Sequence, residues 1–278
     1  MGTAAHGQIL IGQTAGFSGA VAAGVKETTD GAKIYLDAVN AKGGINGQKI
    51  ELISMDDKFT PQLAGDNAKT LIENKEVVAL FLTRGAPHTQ AVLPHLEKHG
   101  VPLIGPSTGA MVLHSPVHRQ VFNVRATYQR EAEKAMTHLA SMGITRIALV
   151  HADDTFGEDG LVGAQKGLGD NARGVIVTQV SPQSIGFKLD KEAIDLARSQ
   201  NIAEVSPAML EGFAAAQVLV EGLRRSGPKP TRERLQAALE GMQKFDLGRL
   251  ELSYRPTDHS GLEFADLSII TADGKFRR

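Results

Sequence analysis

Four groups of residues in this chain have types and spacing that could do chemistry. His95 and His99 stand four apart, which brings two imidazoles to one face of a helix. No Glu is placed as in H-E-x-x-H and no third ligand is evident, so solvated helix histidines fit better than a metal pair. Gly16-Phe17-Ser18-Gly19 begins like a nucleophile elbow, but Ala20 stands where G-x-S-x-G requires its last glycine. Asp56-Asp57 and Asp153-Asp154 could act as acid/base pairs. Adjacent residues on a loop diverge rather than share a proton, so turn and cap roles are expected. Two short polar loops remain, Thr-Arg-Gly-Ala-Pro-His-Thr at 83–89 and Gly-Pro-Ser-Thr-Gly-Ala at 105–110. Backbone N–H groups and hydroxyls converging there could hold a carboxylate. Ser107 and Thr108 are equally good helix-capping types, which would make both loops ordinary strand-to-helix turns.

The elements around these groups alternate. Strands are expected at 8–14, 49–55, 77–83 and 102–104, and helices at about 28–41, 61–74 and 89–99. Apolar strand runs separated by helices imply a parallel sheet covered on both faces, with binding loops at the carboxyl ends of its strands. The apolar segment 121–124 reads as a crossing between two units. Beyond it, helices are expected at 129–142, 157–168, 191–200, 207–226 and 231–242, and strands at 146–151 and 174–180. Segments 249–254 and 262–271 are expected to pair as terminal strands.

Composition closes several routes. The net charge is −1, so nothing recommends nucleic acid or a membrane surface as partner. The longest apolar run, 77–82, is far too short for membrane insertion. With no cysteine there is no thiol catalysis, disulfide or cysteine–zinc site, and this absence fits periplasm and cytosol alike. No dinucleotide fingerprint or phosphate loop is present, and no cofactor is expected.

The turn Asn40-Ala41-Lys42-Gly43-Gly44-Ile45-Asn46-Gly47-Gln48-Lys49-Ile50-Glu51-Leu52, followed by Asp56-Asp57, resembles the signature of bacterial solute-binding proteins of the branched-chain amino-acid type. The loops at 84–89 and 106–110 carry the same resemblance, as does the stretch 146–160 with His151-Ala152-Asp153-Asp154-Thr155-Phe156-Gly157. The resemblance implies an α/β, two-lobed type I periplasmic binding fold. It implies a first lobe of 8–120 with 184–247, and a second of 121–183 with 248–278. It further implies a periplasmic, non-enzymatic binder of an amino acid or other carboxylate, delivering it to an ABC permease. A ligand-sensing module of a receptor or regulator is the alternative.

Carried onto this sequence, the resemblance points to Ser18, Gly85, Ala86, Ser107, Thr108 and Gly109 as ligand-binding positions on the first lobe, and Arg84 is an unusual neighbour of that loop, either a further charge-assisted ligand contact or a solvated side chain. The resemblance points to Tyr128 and Phe156 on the second, and to Phe213 near the hinge. Phe156 and Phe213 stand where amino-acid binders commonly carry Tyr, and the loss of two hydroxyls makes a more apolar or aromatic carboxylate plausible. The resemblance also shows a gap. Leu168 and Gly169 adjoin where the family has further strand–helix units, roughly 70 residues or about two such units. Either a segment is missing from this sequence or a natural or engineered deletion has joined its flanks; the sequence leaves both open.

Overall fold

The computed structural model describes residues 7–144, positions 147, 149 and 151, residues 155–168 and 188–264, and the strand backbones at 269–270 and 276–277. The first half alternates as expected. Strand β1 (Ile9–Ala15) leads to α1 (Ala22–Ala41), β2 (Ile50–Asp56) to α2 (Pro61–Glu73), and β3 (Ala79–Phe81) to α3 (Ala86–His99). Then come β4 (Leu103–Ile104) and β5 (Val121–Phe122). These form one parallel five-stranded sheet in the order β2-β1-β3-β4-β5. Segment 121–124, expected as a crossing, therefore starts with the fifth strand. Its two apolar residues are fully buried beside β4, and the chain leaves the sheet only after them.

Local chemistry accounts for the helix ends. Pro61 opens α2 behind an extended Thr60, where its missing N–H costs nothing. Helix α3 closes on Gly100 in the left-handed region. Helix α1 begins six residues earlier than expected. Gly24 and the β-branched pair Thr28-Thr29 are weak helix formers, but Val25, Thr28 and Thr29 are all buried, and packing overrides propensity.

The second half supplies α4 (Tyr128–Ser141), α5 (Thr155–Leu168), α6 (Lys188–Ser199), α7 (Pro207–Arg225) and α8 (Arg232–Glu240). Ser206 caps α7 and Thr231 caps α8, each side chain accepting from a backbone N–H three residues on. Helix α7 lies directly on α1. A Cβ on Gly212 would stand 1.7 Å from the Thr28 carbonyl oxygen, and one on Gly31 1.9 Å from that of Met209, so the two backbones meet where both helices lack side chains. One core joins α1, α6, α7 and α8 to the sheet, with Phe81, Phe122, Phe213 and Tyr254 among its residues. A second core packs α2 and α3 on the other sheet face.

The expected pairing of 249–254 with 262–271 is corrected. Strand β7 (Glu251–Leu252) pairs antiparallel with β6 (Phe245–Asp246), and β8 (Ile269–Ile270) pairs with β9 (Phe276–Arg277). Strands two residues long bury too few side chains to leave a period in the sequence. Leu250, Leu252 and Tyr254 join the same core as β1 and α7, although 248–278 was expected in the second lobe. Helices α4 and α5 pack on each other around Met136, Ile147, Ala164 and Leu168. The expected strands 146–151 and 174–180, and residues 169–187 that follow Leu168, lie wholly or largely outside the described residues. No helix among the described residues is long and apolar enough to cross a membrane.

Candidate functional site

The loops after β1, β2, β3 and β4 all emerge at the carboxyl edge of the sheet, where open α/β sheets bind ligands. Two of them are tied together. Arg84 and Ser107 form a parallel β-bridge, the Ser107 N–H donates to the Thr83 carbonyl (2.7 Å), and Arg84 Nη1 donates to Ser107 Oγ (2.9 Å). The guanidinium is half-buried and has no carboxylate within ion-pair distance among the described residues. Gly85, at φ 88°, is the N-cap of α3, and Ala86 is the first, buried residue of that helix. Beside them the ring of Phe59 stacks on His88, with centroids 4.0 Å apart.

The remaining candidates divide. Ser107 is only 2% exposed and its hydroxyl is occupied by Arg84. Thr108 is fully buried, and its hydroxyl has no hydrogen-bond partner among the described residues. Gly109 serves a close approach: its carbonyl accepts from the Tyr128 N–H (2.8 Å), and a Cβ there would stand 2.7 Å from the Ala126 carbonyl oxygen. Ser18 is exposed, and its N–H donates to Asp56 Oδ1 (3.3 Å). The Ser18 hydroxyl holds the Asp56 carboxyl below its ordinary pKa; burial opposes it, and backbone N–H groups add to the lowering. Burial pushes Asp57 the other way, partly offset by the hydrogen bonds from the Phe59 N–H and Thr14. This pair therefore shapes the turn that carries Phe59, as its adjacency suggested. His99 pairs with Glu73 (3.0 Å), a surface contact.

Tyr128 and Phe156 do come together, edge to face at 4.8 Å, and Phe156 is 49% exposed. Phe213 does not join them. It is fully buried in the first core, edge-on to Tyr35 at 5.2 Å, and offers no surface to a solute. Its place on a helix buried almost all round put it there. Pockets of about 540, 510 and 470 Å³ open elsewhere on the described surface, and none is lined by a candidate residue.

The sequence reading missed Arg125. Its guanidinium lies against Glu131 of α4, 3.7 Å from Glu211 of α7, and over the Tyr128 ring at 4.9 Å from its centroid. Burial works to lower its pKa, but the two carboxylates outweigh this and hold it above its ordinary value. The available signal was an arginine directly after the apolar run Val121-Phe122-Asn123-Val124, a place where a charge is rarely left unpaired.

Nearby, His114 is 7% exposed and neither ring nitrogen has a hydrogen-bond partner among the described residues. Burial lowers its pKa to about 4, the Arg125 charge adds to this, and Asp258 opposes it. A depressed folded-state pKa gives stability that is complete above the ordinary histidine value and is lost as pH falls through the folded one. About 3 kcal/mol should therefore disappear between pH 6.5 and about 4. Urea unfolding across that range should show the loss, and His114→Phe should flatten this part of the profile. An equal slope in both proteins would exclude His114 as its source.

Comparison with known proteins places this geometry. Residues 8–187, well over half of the chain, match the family model for periplasmic binding proteins. Leu/Ile/Val-binding protein homolog 3 of Brucella melitensis is 27% identical over 190 residues, which cover 66% of this chain and 49% of that protein. The chain thus spans about half the length of the curated relatives it matches. A possible leucine/isoleucine/valine-binding protein from Rhodopirellula baltica superposes with a TM-score of 0.88 at 22% identity, covering 99% of this chain and 98% of that one. A solute-binding protein of an ABC transporter from R. palustris, solved in complex with benzoate, gives 0.84 at 14% identity over 97% and 95%. Those structures establish the fold. On the family match, the chain belongs to the periplasmic binding proteins, among the members with the type I fold and Leu/Ile/Val-binding relatives.

Proposed function

We propose that this chain is an extracytoplasmic solute-binding protein of an ABC importer, taking a small amino acid or an aromatic carboxylate in a cleft between two lobes. It binds and does not catalyse. The observation that carries the reading is Arg84, a half-buried guanidinium at the carboxyl edge of the sheet whose hydrogen-bond partner there is the neutral hydroxyl of Ser107. A cation so placed is complementary to a carboxylate, which it can take as a charge-assisted pair. Gly85 and Ala86 would add backbone N–H groups at the start of α3, and the 105–110 loop would form the second wall. Ser18 would sit at the rim, and Tyr128 with Phe156 would cover the apolar part of the solute. The Leu/Ile/Val-binding relatives support an amino acid, and the benzoate complex supports an aromatic acid.

The lobes follow the same reading with shifted bounds. The first would comprise 8–122 and 188–254, and the final return to the second would come after Tyr254, because Leu250, Leu252 and Tyr254 belong to the first core.

A thermal-shift screen of amino acids and aromatic acids should find a stabilising solute, since binding to the native state alone raises apparent stability. Calorimetry on Arg84→Ala should then show about 1.5–3 kcal/mol of lost binding. Unchanged affinity would remove Arg84 from the site. Adjacent permease and ATPase genes would separate transport from sensing.

A further inference from the structure

Asp159 on α5 is 8% exposed and both of its carboxylate oxygens are used, each toward a different part of the molecule. Oδ2 accepts from the backbone N–H of Met111 at 2.8 Å, and Oδ1 from Gln129 Nε2 at 2.9 Å. Gln129 lies in the first turn of α4. Its own carbonyl oxygen accepts from Lys166 Nζ at 2.6 Å, which fixes the amide so that its NH₂ points at Asp159. The chain of donors runs from Lys166 through Gln129 to Asp159, all on the α4–α5 pair. Met111 is different. It opens the short turn Met111–Leu113 directly after the 105–110 loop, which is anchored at Ser107 to the end of β3. Helix α5 also approaches α3, the helix that starts at Gly85.

We infer that Asp159 is a positioning residue that couples α4–α5 to the 105–110 loop. Docking of α5 supplies the acceptor for the Met111 N–H and orders the loop that takes the solute. Withdrawal of α5 strips that N–H of its partner and loosens the loop. A solute held by the loop and covered by α5 would thereby favour the docked arrangement. The coupling stands on the geometry alone; its effect on affinity rests on the function proposed above.

The test compares Asp159→Ala and Asp159→Asn with Glu158→Ala, an exposed neighbour on the same helix. Amide hydrogen exchange without solute is the first readout. In Asp159→Ala, exchange across 105–114 should quicken by about tenfold, the order expected for losing one charge-assisted hydrogen bond, while α4 and α5 keep their protection. Asp159→Asn should fall between, because its amide oxygen can still accept from Met111. It carries the same readout should the alanine variant fail to fold. Glu158→Ala should match wild type. Unchanged exchange across 105–114, or equal loss of protection through α4 and α5, would overturn the inference; the second result would make Asp159 a simple packing residue. Calorimetry with benzoate and with L-leucine gives the second readout. Binding of whichever probe wild type takes should weaken by about tenfold through faster dissociation, and undiminished affinity beside a loosened loop would overturn the coupling to binding. If wild type takes neither probe, the proposed solute class fails, and the exchange comparison still decides the coupling.

Discussion

Arg125→Ala should lower the unfolding free energy by about 3–5 kcal/mol, one of the two largest single-residue effects expected in this chain. The substitution leaves Glu131 and Glu211 buried, at 10% and 13% side-chain exposure, with their shared cation gone. Breaking a buried pair costs more than never having made it, because the remaining charge has neither water nor partner. Here two carboxylates lose the cation they share, one on α4 and one on α7, so the junction between those helices takes the loss. Urea unfolding should show a lower midpoint. Arg125→Met combined with Glu131→Gln and Glu211→Gln should recover most of the loss, since the two side chains that shared the cation are then neutral. A deficit below about 1 kcal/mol in Arg125→Ala would mean that the cluster behaves like a hydrated surface pair.

Phe213→Ala should cost a comparable amount, about 3–5 kcal/mol, and should leave solute preference alone. The ring is fully buried and packs edge-on to Tyr35, so its removal opens a cavity between α1, α7 and the sheet. Part of the cost is lost transfer free energy and part is the void, which α7 cannot close because its backbone already touches α1 at Gly212. The measurement is a pair: denaturant midpoint, and relative affinity for an aliphatic against an aromatic acid. A changed preference with an unchanged midpoint would return Phe213 to the ligand site, where the resemblance to amino-acid binders had placed it.

The same residue shows where sequence reasoning runs out. Along α7, positions 209, 210, 212–220, 222 and 223 are all buried, so the helix has little polar face to orient it. The 3.6-residue period that normally separates inside from outside is lost, and an aromatic at 213 reads equally well as core or cleft. Arg125 failed to register for a different reason. Its partners lie six residues away across a turn and 86 residues away on another helix, a separation that no local pattern records. The hairpin of β6 and β7 escaped because two-residue strands carry no alternation.

What the sequence by itself determined is the order and type of the long elements and the loops that end them. Near-continuous apolar strands between amphipathic helices leave a buried parallel sheet as the economical arrangement. The turn at 43–48 was readable because its backbone demands specific residues: Gly43, Gly44 and Gly47 all take positive φ, and Ile45 bridges to Gln48. These are local constraints, each satisfied within a few residues. Only the tertiary structure decided that β5 completes the first sheet, that Phe213 is core, that Arg84 meets Ser107, and that Asp159 reaches Met111. Each of these joins residues at least 18 positions apart. Their energies come from burial and charge pairing, which exist only once the packed helices and sheet have brought the partners together.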